Sequence, residues 1–245
     1  MRVLVTGANG FMGKNLTARL SSLVDVEILT FTRDHQPAEL PPLVAQADFI
    51  FHVAGVNRPK NISEFEAGNS DLTRMLCSAV AMTGRPIPIL YASSSQAELD
   101  NPYGISKRNA EKALQDLASA HGVPVYIFRL PNVFGQGARP NYNSVVATFC
   151  HNIARNLPIR INDPSSVVVL VYINDVVQKF VEIMRNPPKT VKGGGLTVEP
   201  QYRITVGELA AQLQAFKDTC IPFRAGDTET AFTMALHETY LSYQP

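Results

Sequence analysis

The chain of 245 residues has almost no net charge, few cysteines and no long apolar run. Its formal net charge is +1, so no overall field attracts nucleic acid or an anionic membrane, and we expect neither as a partner. The three cysteines are widely spaced and odd in number, which fits buried thiols better than disulfides or a metal site. No apolar run approaches the ~20 residues that cross a bilayer. The short apolar N-terminus is broken at once by glycine and asparagine, unlike a signal peptide. We therefore expect a cytoplasmic protein without a metal.

What the sequence has in quantity is an alternation of short β-branched runs with helical patterns. Strands are predicted at RVLVT, VEILTFT, ADFIFHVAG, IPILYAS, VPVYIFRL and VVVLVYI. These strands are nearly all apolar, as expected where helices cover both faces of a sheet. The pattern predicts an α/β fold, with a Rossmann-type doubly wound parallel sheet over residues 1–184. Within it we expect a substrate-contacting insert at about 135–165, and after it a small C-terminal substrate-binding part at 185–245.

A glycine-rich turn, TGANGFMG, joins the first strand to the first helix. Gly7, Gly10 and Gly13 stand where a tight turn, an approach to a pyrophosphate and a close helix–strand contact each require a residue without a Cβ. The helix then begins near Phe11 and Met12, where free N–H groups and a partial positive charge favour phosphates. The turn therefore predicts a dinucleotide site.

The end of the second strand indicates which dinucleotide is bound. An acidic residue commonly stands there to accept hydrogen bonds from the ribose of NAD, whereas this chain has Thr32 and Arg33. A guanidinium matches a 2′-phosphate in charge and geometry, so we predict NADP or NADPH. The alternative is that Asp34 takes the acidic role and that Arg33 only ends the strand.

A tyrosine and a lysine stand four residues apart in the stretch NPYGISK. Tyr103 and Lys107 would share one face at the start of a helix. An ammonium near a phenol lowers the pKa of the phenol, which would make Tyr103 a proton donor near neutral pH. The serines of YASSSQ end a strand, where a hydroxyl could hold a substrate oxygen beside Tyr103. The pattern predicts an acid and the cation that tunes it.

In combination these segments resemble the extended short-chain dehydrogenase/reductases that act on nucleotide sugars. The matching pieces are TGANGFMG, FHVAG, the helix asparagine Asn69, the serine strand, PYGISK, RLPNVFG and VYINDVV. The resemblance implies that Tyr103 is the general acid and that Lys107 lowers its pKa and contacts the nicotinamide ribose. It also implies that Ser94 binds the reacting oxygen, with Ser95 as the alternative because three serines are adjacent.

The same resemblance implies further contacts. It puts Asp48 near the adenine, Ala54 and Gly55 against the phosphates and ribose, and Asn69 among the cofactor-binding residues. The candidate substrate contacts are polar residues of the serine strand and of the segment after RLPNVFG, namely Ser95, Asn132, Arg139, Asn141 and Asn143. Arg139 is the nearest cation for a diphosphate. Asn141 and Asn143 either cap the following helix or contact a ligand.

A narrower resemblance covers all 245 residues. HVAGVNRP, DNPYGISK, PNVFGQGARPNYNSVVATFCHNIARN and TYLSYQP are similar to the N-terminal reductase halves of bifunctional capsular-polysaccharide enzymes, which carry a C-terminal cupin. This implies an NADPH-dependent enzyme that reduces the C4 ketone of a UDP-2-acetamido-2,6-dideoxy-hexos-4-ulose in capsule or O-antigen sugar biosynthesis. We expect a homodimer. The cupin, which epimerises the sugar in these enzymes, is absent from the sequence, so we expect no such epimerisation.

Three other functions fit the sequence less well. A 4-epimerase that retains NAD is disfavoured by Arg33 and by the missing ribose acid. A non-catalytic NADP-sensing module that binds a protein is disfavoured because Tyr103 and Lys107 are both present. A dehydratase would carry an Asp-Glu pair after the strand hydroxyl, where this chain has Ser95 and Gln96.

Overall fold

The computed structural model describes residues 1–188, 195–218 and 228–245, without the side chains of residues 228–230. The chain divides into two compact units. The first comprises Met1–Leu130 with Val177–Thr197, and the second comprises Pro131–Val176 with Val198–Pro245. This division differs from the predicted boundary at residue 184, because residues 131–176 pair and pack with the C-terminal segment rather than with the first sheet.

The described part of the first unit contains a five-stranded parallel sheet in the order β2-β1-β3-β4-β5. Its strands are β1 (Arg2–Thr6), β2 (Glu27–Phe31), β3 (Phe49–His52), β4 (Ile89–Ser94) and β5 (Val125–Leu130). From β1 the chain proceeds to β2 on one side and then returns to β3 on the other. The predicted Rossmann-type sheet is thereby confirmed, and the reversal lies between β1 and β3.

Helices connect these strands, as the alternation of sequence patterns predicts. They are α1 (Phe11–Ser21), α2 (Leu40–Gln46), α3 (Ser63–Phe65), α4 (Leu72–Thr83) and α5 (Pro102–His121), with a π-helical segment (Glu66–Asp71) that joins α3 to α4. Across the described ranges of both units, every helix is either too short or too polar to cross a membrane.

The second unit has a smaller, mixed sheet in the order β6-β7-β8. Its elements are β6 (Asn132–Phe134), α6 (Val145–Ala154), β7 (Val167–Tyr172), α7 (Ile173–Arg185), β8 (Tyr202–Thr205), α8 (Val206–Asp218) and α9 (Thr228–Leu241). β6 and β7 run parallel, and β7 and β8 run antiparallel. The division between the units falls within α7, so this helix belongs to the first unit from Val177 onward.

Apolar side chains cover both faces of the five-stranded sheet. On one face, Leu4 and Ile50 belong to a buried cluster with side chains of α2, α4 and α5. On the other face, Phe51 and Phe128 pack against Phe180 of α7, with ring centroids 6.1 and 5.1 Å apart. Because successive residues of a strand point to opposite faces, strands covered in this way are apolar throughout.

The cysteines that the structure describes are buried free thiols. Burial raises the pKa of both Cys77 and Cys150 to about 12, so neither is a reactive thiolate at neutral pH. The third cysteine, Cys220, lies outside the described residues.

Gly7 determines the shape of the turn after β1. Its φ is +73°, and its N–H donates to the carbonyl of Phe31 at 2.8 Å. A Cβ on Gly7 would lie 2.6 Å from the Cα of Ala54, and a Cβ on Gly13 would lie 2.2 Å from the carbonyl oxygen of Gly7. Both the left-handed conformation and the lack of space therefore exclude a side chain at Gly7.

We predict that Gly7→Ala costs about 2–5 kcal/mol of folding free energy. The left-handed conformation accounts for about 1–2 kcal/mol and the contact with backbone for about 1–3 kcal/mol. Gly84→Ala is the matched control, because Gly84 has a φ of +64° but no other described atom within 4 Å of the added Cβ. It should cost about 1–2 kcal/mol in urea unfolding. Equal losses in the two variants would contradict the close approach of Gly7 to Ala54.

Candidate active site

The carboxyl ends of the parallel strands bring several predicted residues to one edge of the sheet. Gly7 follows β1, Arg33 follows β2, Ala54 follows β3, and Ser94 ends β4. Ligands of open α/β sheets bind outside this edge, at the point where the strand order reverses. Gly7 and Ala54 lie against each other at that reversal.

The glycine turn fits the diphosphate of a dinucleotide. Gly10 is the N-cap of α1 and has no side chain to bond the first N–H groups of the helix, at Phe11 and Met12. A Cβ on Gly55, across the turn, would lie 3.0 Å from Oδ1 of Asn69 and 3.4 Å from Nζ of Lys107. The bare backbone and the helix N-terminus together form a cradle of the kind that holds pyrophosphate.

Asp48 lies at the opposite edge of the sheet, and its predicted adenine contact is corrected accordingly. It precedes β3, its N–H donates to the carbonyl of Arg2 at the start of β1, and its carboxylate accepts from the N–H of Arg2 at 2.8 Å. Its other carboxylate oxygen lies 3.4 Å from Arg85. The glycine turn follows the far end of β1, roughly 15 Å away at the rise of a strand.

In the turn after β2, Arg33 is exposed, whereas Asp34 forms hydrogen bonds with other residues. The Asp34 carboxylate accepts from Nδ2 of Asn9 and from the hydroxyl of Thr32, both at 3.3 Å. Asp34 therefore has structural partners of its own. The preference for NADP over NAD stays a prediction.

The start of α5 is fixed against the end of β4. The Asn101 side chain accepts from the N–H of Gly104 at 2.8 Å and caps the helix. A Cβ on Gly104 would lie 2.2 Å from the carbonyl oxygen of Gln96, so the first turn of α5 packs directly on the segment after β4. This contact brings the hydroxyl of Tyr103 close to that of Ser94.

The pKa of Tyr103 departs from its ordinary value in the direction opposite to the prediction. Burial raises this pKa, and the neighbouring Ser94 hydroxyl lowers it by a smaller amount. The ring lies 5.6 Å from that of Phe65, which contributes to the burial. The predicted lowering by Lys107 is thus corrected: the phenol is protonated at neutral pH, which is the form that a proton donor requires.

The three adjacent serines have different surroundings. The Ser93 hydroxyl donates to Glu111 at 2.5 Å and is buried, whereas Ser95 is exposed. Ser94 accepts from the N–H of Gln96 at 3.2 Å and contacts Tyr103. The geometry therefore favours Ser94 over Ser95 as the residue beside the candidate acid, although its catalytic role stays a prediction.

Lys107 is 5% exposed, and β4 supplies its partners. Its Nζ donates to the carbonyl oxygen of Ala92 at 2.9 Å and to the hydroxyl of Tyr91 at 3.1 Å. Burial lowers the pKa of Lys107 to about 8, against the attraction of Glu111, which raises it. Most of the ammonium is thus charged at neutral pH.

Glu111 is a buried carboxylate one turn beyond Lys107. Arg129 donates to it through Nη2 at 2.7 Å and through Nε at 3.1 Å. With the Ser93 hydroxyl also donating to it, the carboxylate is fully hydrogen-bonded. The spacing of Lys107 and Glu111 could have predicted a shared helix face, but the partner on β5 is distant in sequence.

Asn69 holds the loop after β3 in place. Its Oδ1 accepts from the N–H of Val56 at 2.8 Å, and its Nδ2 donates to the carbonyl oxygen of Val56 at 3.0 Å and to the hydroxyl of Ser106 at 2.9 Å. It lies in the π-helical segment, 1% exposed. The structure thus gives Asn69 a bracing role, and its predicted contact with the cofactor stays a prediction.

His52 links three elements beneath the site, and sequence reasoning missed it. The Thr73 hydroxyl donates to the carbonyl of Asn69 at 2.6 Å, so its oxygen accepts from Nε2 of His52 at 2.8 Å. Nδ1 is then an acceptor for the Thr6 hydroxyl at 2.7 Å. Burial and the charge of Lys107 lower the pKa of His52 to about 3. A histidine in an otherwise apolar strand was the available signal.

The described residues bring together no group of three His, Cys, Asp or Glu suited to a metal.

Two of the predicted substrate residues have partners within the second unit. Asn132 donates from Nδ2 to the carbonyl of Val169 at 3.2 Å, between the neighbouring strands β6 and β7. The guanidinium of Arg139 lies 5.4 Å from the centre of the Tyr142 ring, and Arg139 is exposed. A role in substrate binding stays a prediction for both.

The N-cap of α6 is Ser144, whose hydroxyl accepts from the N–H of Ala147 at 3.2 Å. Asn141 instead takes a φ of +54°, and its N–H donates to the hydroxyl of Thr148 at 3.0 Å. The possibility that Asn141 or Asn143 caps this helix is therefore wrong. Their contact with a ligand stays a prediction.

Residues 3–198 match the model of a protein family described as "NAD dependent epimerase/dehydratase family". Over 245 residues the chain is 54% identical to a UDP-2-acetamido-2,6-beta-L-arabino-hexul-4-ose reductase of Pseudomonas aeruginosa, with coverage of 100% of this chain and 65% of that protein. The chain therefore spans about two thirds of the length of this relative.

Solved structures resemble the fold over its whole length. The capsular polysaccharide assembling protein CapF of Staphylococcus aureus is 38% identical, with a TM-score of 0.87 and coverage of 100% of this chain and 65% of that chain. A UDP-glucuronic acid 4-epimerase of Bacillus cereus, solved with NAD, has a TM-score of 0.84 and covers 99% of this chain and 98% of its own. At 15% identity the second likeness concerns the fold alone.

Proposed function

The chain belongs to the NAD dependent epimerase/dehydratase family, and from this premise we propose that it is an NADPH-dependent nucleotide-sugar reductase. Its substrate is a UDP-2-acetamido-2,6-dideoxy-hexos-4-ulose, and its product is the C4 alcohol, an intermediate of capsule or O-antigen sugar biosynthesis. The observation that carries the proposal is that Tyr103 lies beside Ser94 at the sheet edge that the glycine turn also borders. The 54% identity to a reductase of such a sugar supports the substrate class.

Different residues of the site have different roles in the reduction of a ketone. When bound, NADPH supplies the hydride that converts the carbonyl carbon to the carbinol carbon. As negative charge develops on the carbonyl oxygen, Tyr103 donates its phenolic proton to it, and the Ser94 hydroxyl stabilises the same oxygen. The Lys107 ammonium, one turn later on the same face of α5, would bind the ribose of the nicotinamide. The contacts of Tyr103 and Ser94 with the carbonyl oxygen strengthen in the transition state, where they accelerate the reaction.

Each rival function is separated from the proposed reductase by a residue of the site or by an assay. Removal of water needs an acid–base pair after the strand hydroxyl, and Ser95 and Gln96 supply neither. A protein-binding NADP sensor has no use for Tyr103 beside Ser94 or for the buried Lys107. A 4-epimerase that retains NAD would show no net consumption of NADPH with a keto-sugar, which separates it from the proposed reductase.

We predict that Tyr103→Phe lowers kcat for the keto-sugar by roughly 10²–10⁴-fold, because general acid catalysis is lost. The variant removes one hydroxyl and keeps the ring beside Phe65, so the thermal unfolding midpoint and NADPH affinity should stay near those of the parent. Consumption of NADPH at 340 nm in this assay gives the rate. A variant that reduces the keto-sugar at close to the parent rate would show that another group supplies the proton.

The second prediction concerns the choice of cofactor. Arg33→Ala should weaken NADPH binding about 10- to 100-fold and leave NADH binding nearly unchanged, since a hydrogen bond to a charged group contributes about 1.5–3 kcal/mol. Asp34→Ala is the companion variant: it should leave NADPH binding almost intact. Fluorescence titration measures both affinities. Equal losses for NADPH and NADH in Arg33→Ala, or a selective loss of NADH binding in Asp34→Ala, would favour Asp34 as the ribose ligand.

A further inference from the structure

A second tyrosine, Tyr91 of β4, contacts Lys107 of the candidate site. The hydroxyl of Tyr91 accepts from Nζ of Lys107 at 3.1 Å, and Nζ lies 4.7 Å from the centre of the Tyr91 ring. The nearby carboxylate of Glu111 is instead bonded to Ser93 and Arg129. Among the residues that the structure describes, the Tyr91 hydroxyl and the carbonyl of Ala92 are the acceptors that meet the buried ammonium.

His52 holds the ring of Tyr91 from the other side. The two rings are stacked, with centroids 5.2 Å apart and planes at 24°. His52 is itself fixed through both ring nitrogens, to Thr6 at 2.7 Å and to Thr73 at 2.8 Å. The Tyr91 hydroxyl therefore has a fixed position relative to β1, β3 and α4, and the ammonium that it meets takes a fixed position as well.

Tyr91 differs from Tyr103 in what it can do. It is 0% exposed, so a substrate cannot reach its hydroxyl. Burial raises the pKa of Tyr91 well above its ordinary value, and the nearby Tyr103 and Glu111 raise it further, so the phenol remains neutral. A neutral hydroxyl is an acceptor for an ammonium, and it favours the charged form of the lysine.

We propose that Tyr91 is a positioning residue that holds the Lys107 ammonium at the active site and stabilises its charged form. The proposal rests on the proposed function for the role of Lys107 in turnover, but the contact itself can be tested without a substrate. Titratable groups surround the contact between Lys107 and Tyr91: His52 of β3 and Glu111 of α5 act on Lys107 or are acted on by it, and Tyr103 of α5 lies near Tyr91. His52 is neutral across the accessible pH range, and the carboxylate of Glu111 is hydrogen-bonded to Arg129.

The contact between Tyr91 and Lys107 should make the free energy of unfolding depend on pH. The pKa of Lys107 is about 8 in the folded protein, below its ordinary value of 10.5. Between these values the unfolded chain binds more protons than the folded one, so stability rises with pH. Tyr91→Phe removes the acceptor and should lower the folded pKa by about one further unit. The loss of unfolding free energy in Tyr91→Phe is therefore largest below this lowered pKa. The loss decreases as the pH rises and is smallest above about 8.

The experiment compares urea unfolding of the parent and Tyr91→Phe at pH 6 and at pH 9. Phe keeps the ring and its stack on His52, so folding is preserved. We expect a larger loss of stability at pH 6 than at pH 9. Tyr126→Phe, on the neighbouring strand β5 and 4% exposed, is the matched control and should show the same loss at both pH values. A pH-independent loss in Tyr91→Phe would overturn the proposal.

A double-mutant cycle assigns the effect to the lysine. In a Lys107→Met background, Tyr91→Phe should cost the same at pH 6 and pH 9, because no ammonium is left to hold. A difference that persists in that background would overturn the proposal. In turnover, the alkaline limb of kcat/KM should move about one unit to lower pH in Tyr91→Phe, and an unmoved limb would count against it. If the parent reduces no keto-sugar, the proposed function fails, whereas the unfolding comparison still decides the role of Tyr91.

Discussion

The ammonium of Lys107 has almost no access to water, and a buried charge is tolerable only where fixed acceptors meet it. Both acceptors come from β4, the carbonyl of Ala92 and the hydroxyl of Tyr91, so α5 must lie against β4 in one register. In that register Tyr103, one turn earlier on the same face, lies beside Ser94. The cap at the start of α5 and its close packing on the preceding turn enforce the same register from the other end.

The cofactor side of the site depends on similar contacts between strand ends. Gly7 approaches Ala54 without a side chain, Asn69 clamps the backbone of Val56, and His52 joins the end of β1 to α4. Each of these contacts connects segments that are distant in sequence and meet at the carboxyl edge of the sheet. A rigid edge of this kind can hold the charged Lys107 and the neutral Tyr103 at fixed distances from one bound dinucleotide.

Local spacing was sufficient to predict the glycine turn, the shared face of Tyr103 and Lys107, and the parallel sheet, because turn chemistry and helix periodicity act within a few residues. Long-range contacts limited the rest. The pKa of Tyr103 depends on how deeply its side chain is buried. The place of β7 in a second sheet depends on its pairing with β6 and β8, which are distant from it in sequence. The position of Asp48 was open to sequence reasoning, since a residue that precedes a parallel strand lies at the edge opposite the cofactor.

The proposed function depends on one chemical step, the transfer of hydride from NADPH to C4 of a UDP-linked 4-keto sugar. The most direct test supplies NADPH deuterated at the transferable position of its nicotinamide together with UDP-2-acetamido-2,6-dideoxy-hexos-4-ulose, and analyses the sugar product by mass spectrometry and NMR. We expect one deuterium per molecule of sugar product, located at C4, for each NADP formed. Oxidation of NADPH without deuterium at C4, or an epimerised sugar without consumption of NADPH, would contradict it.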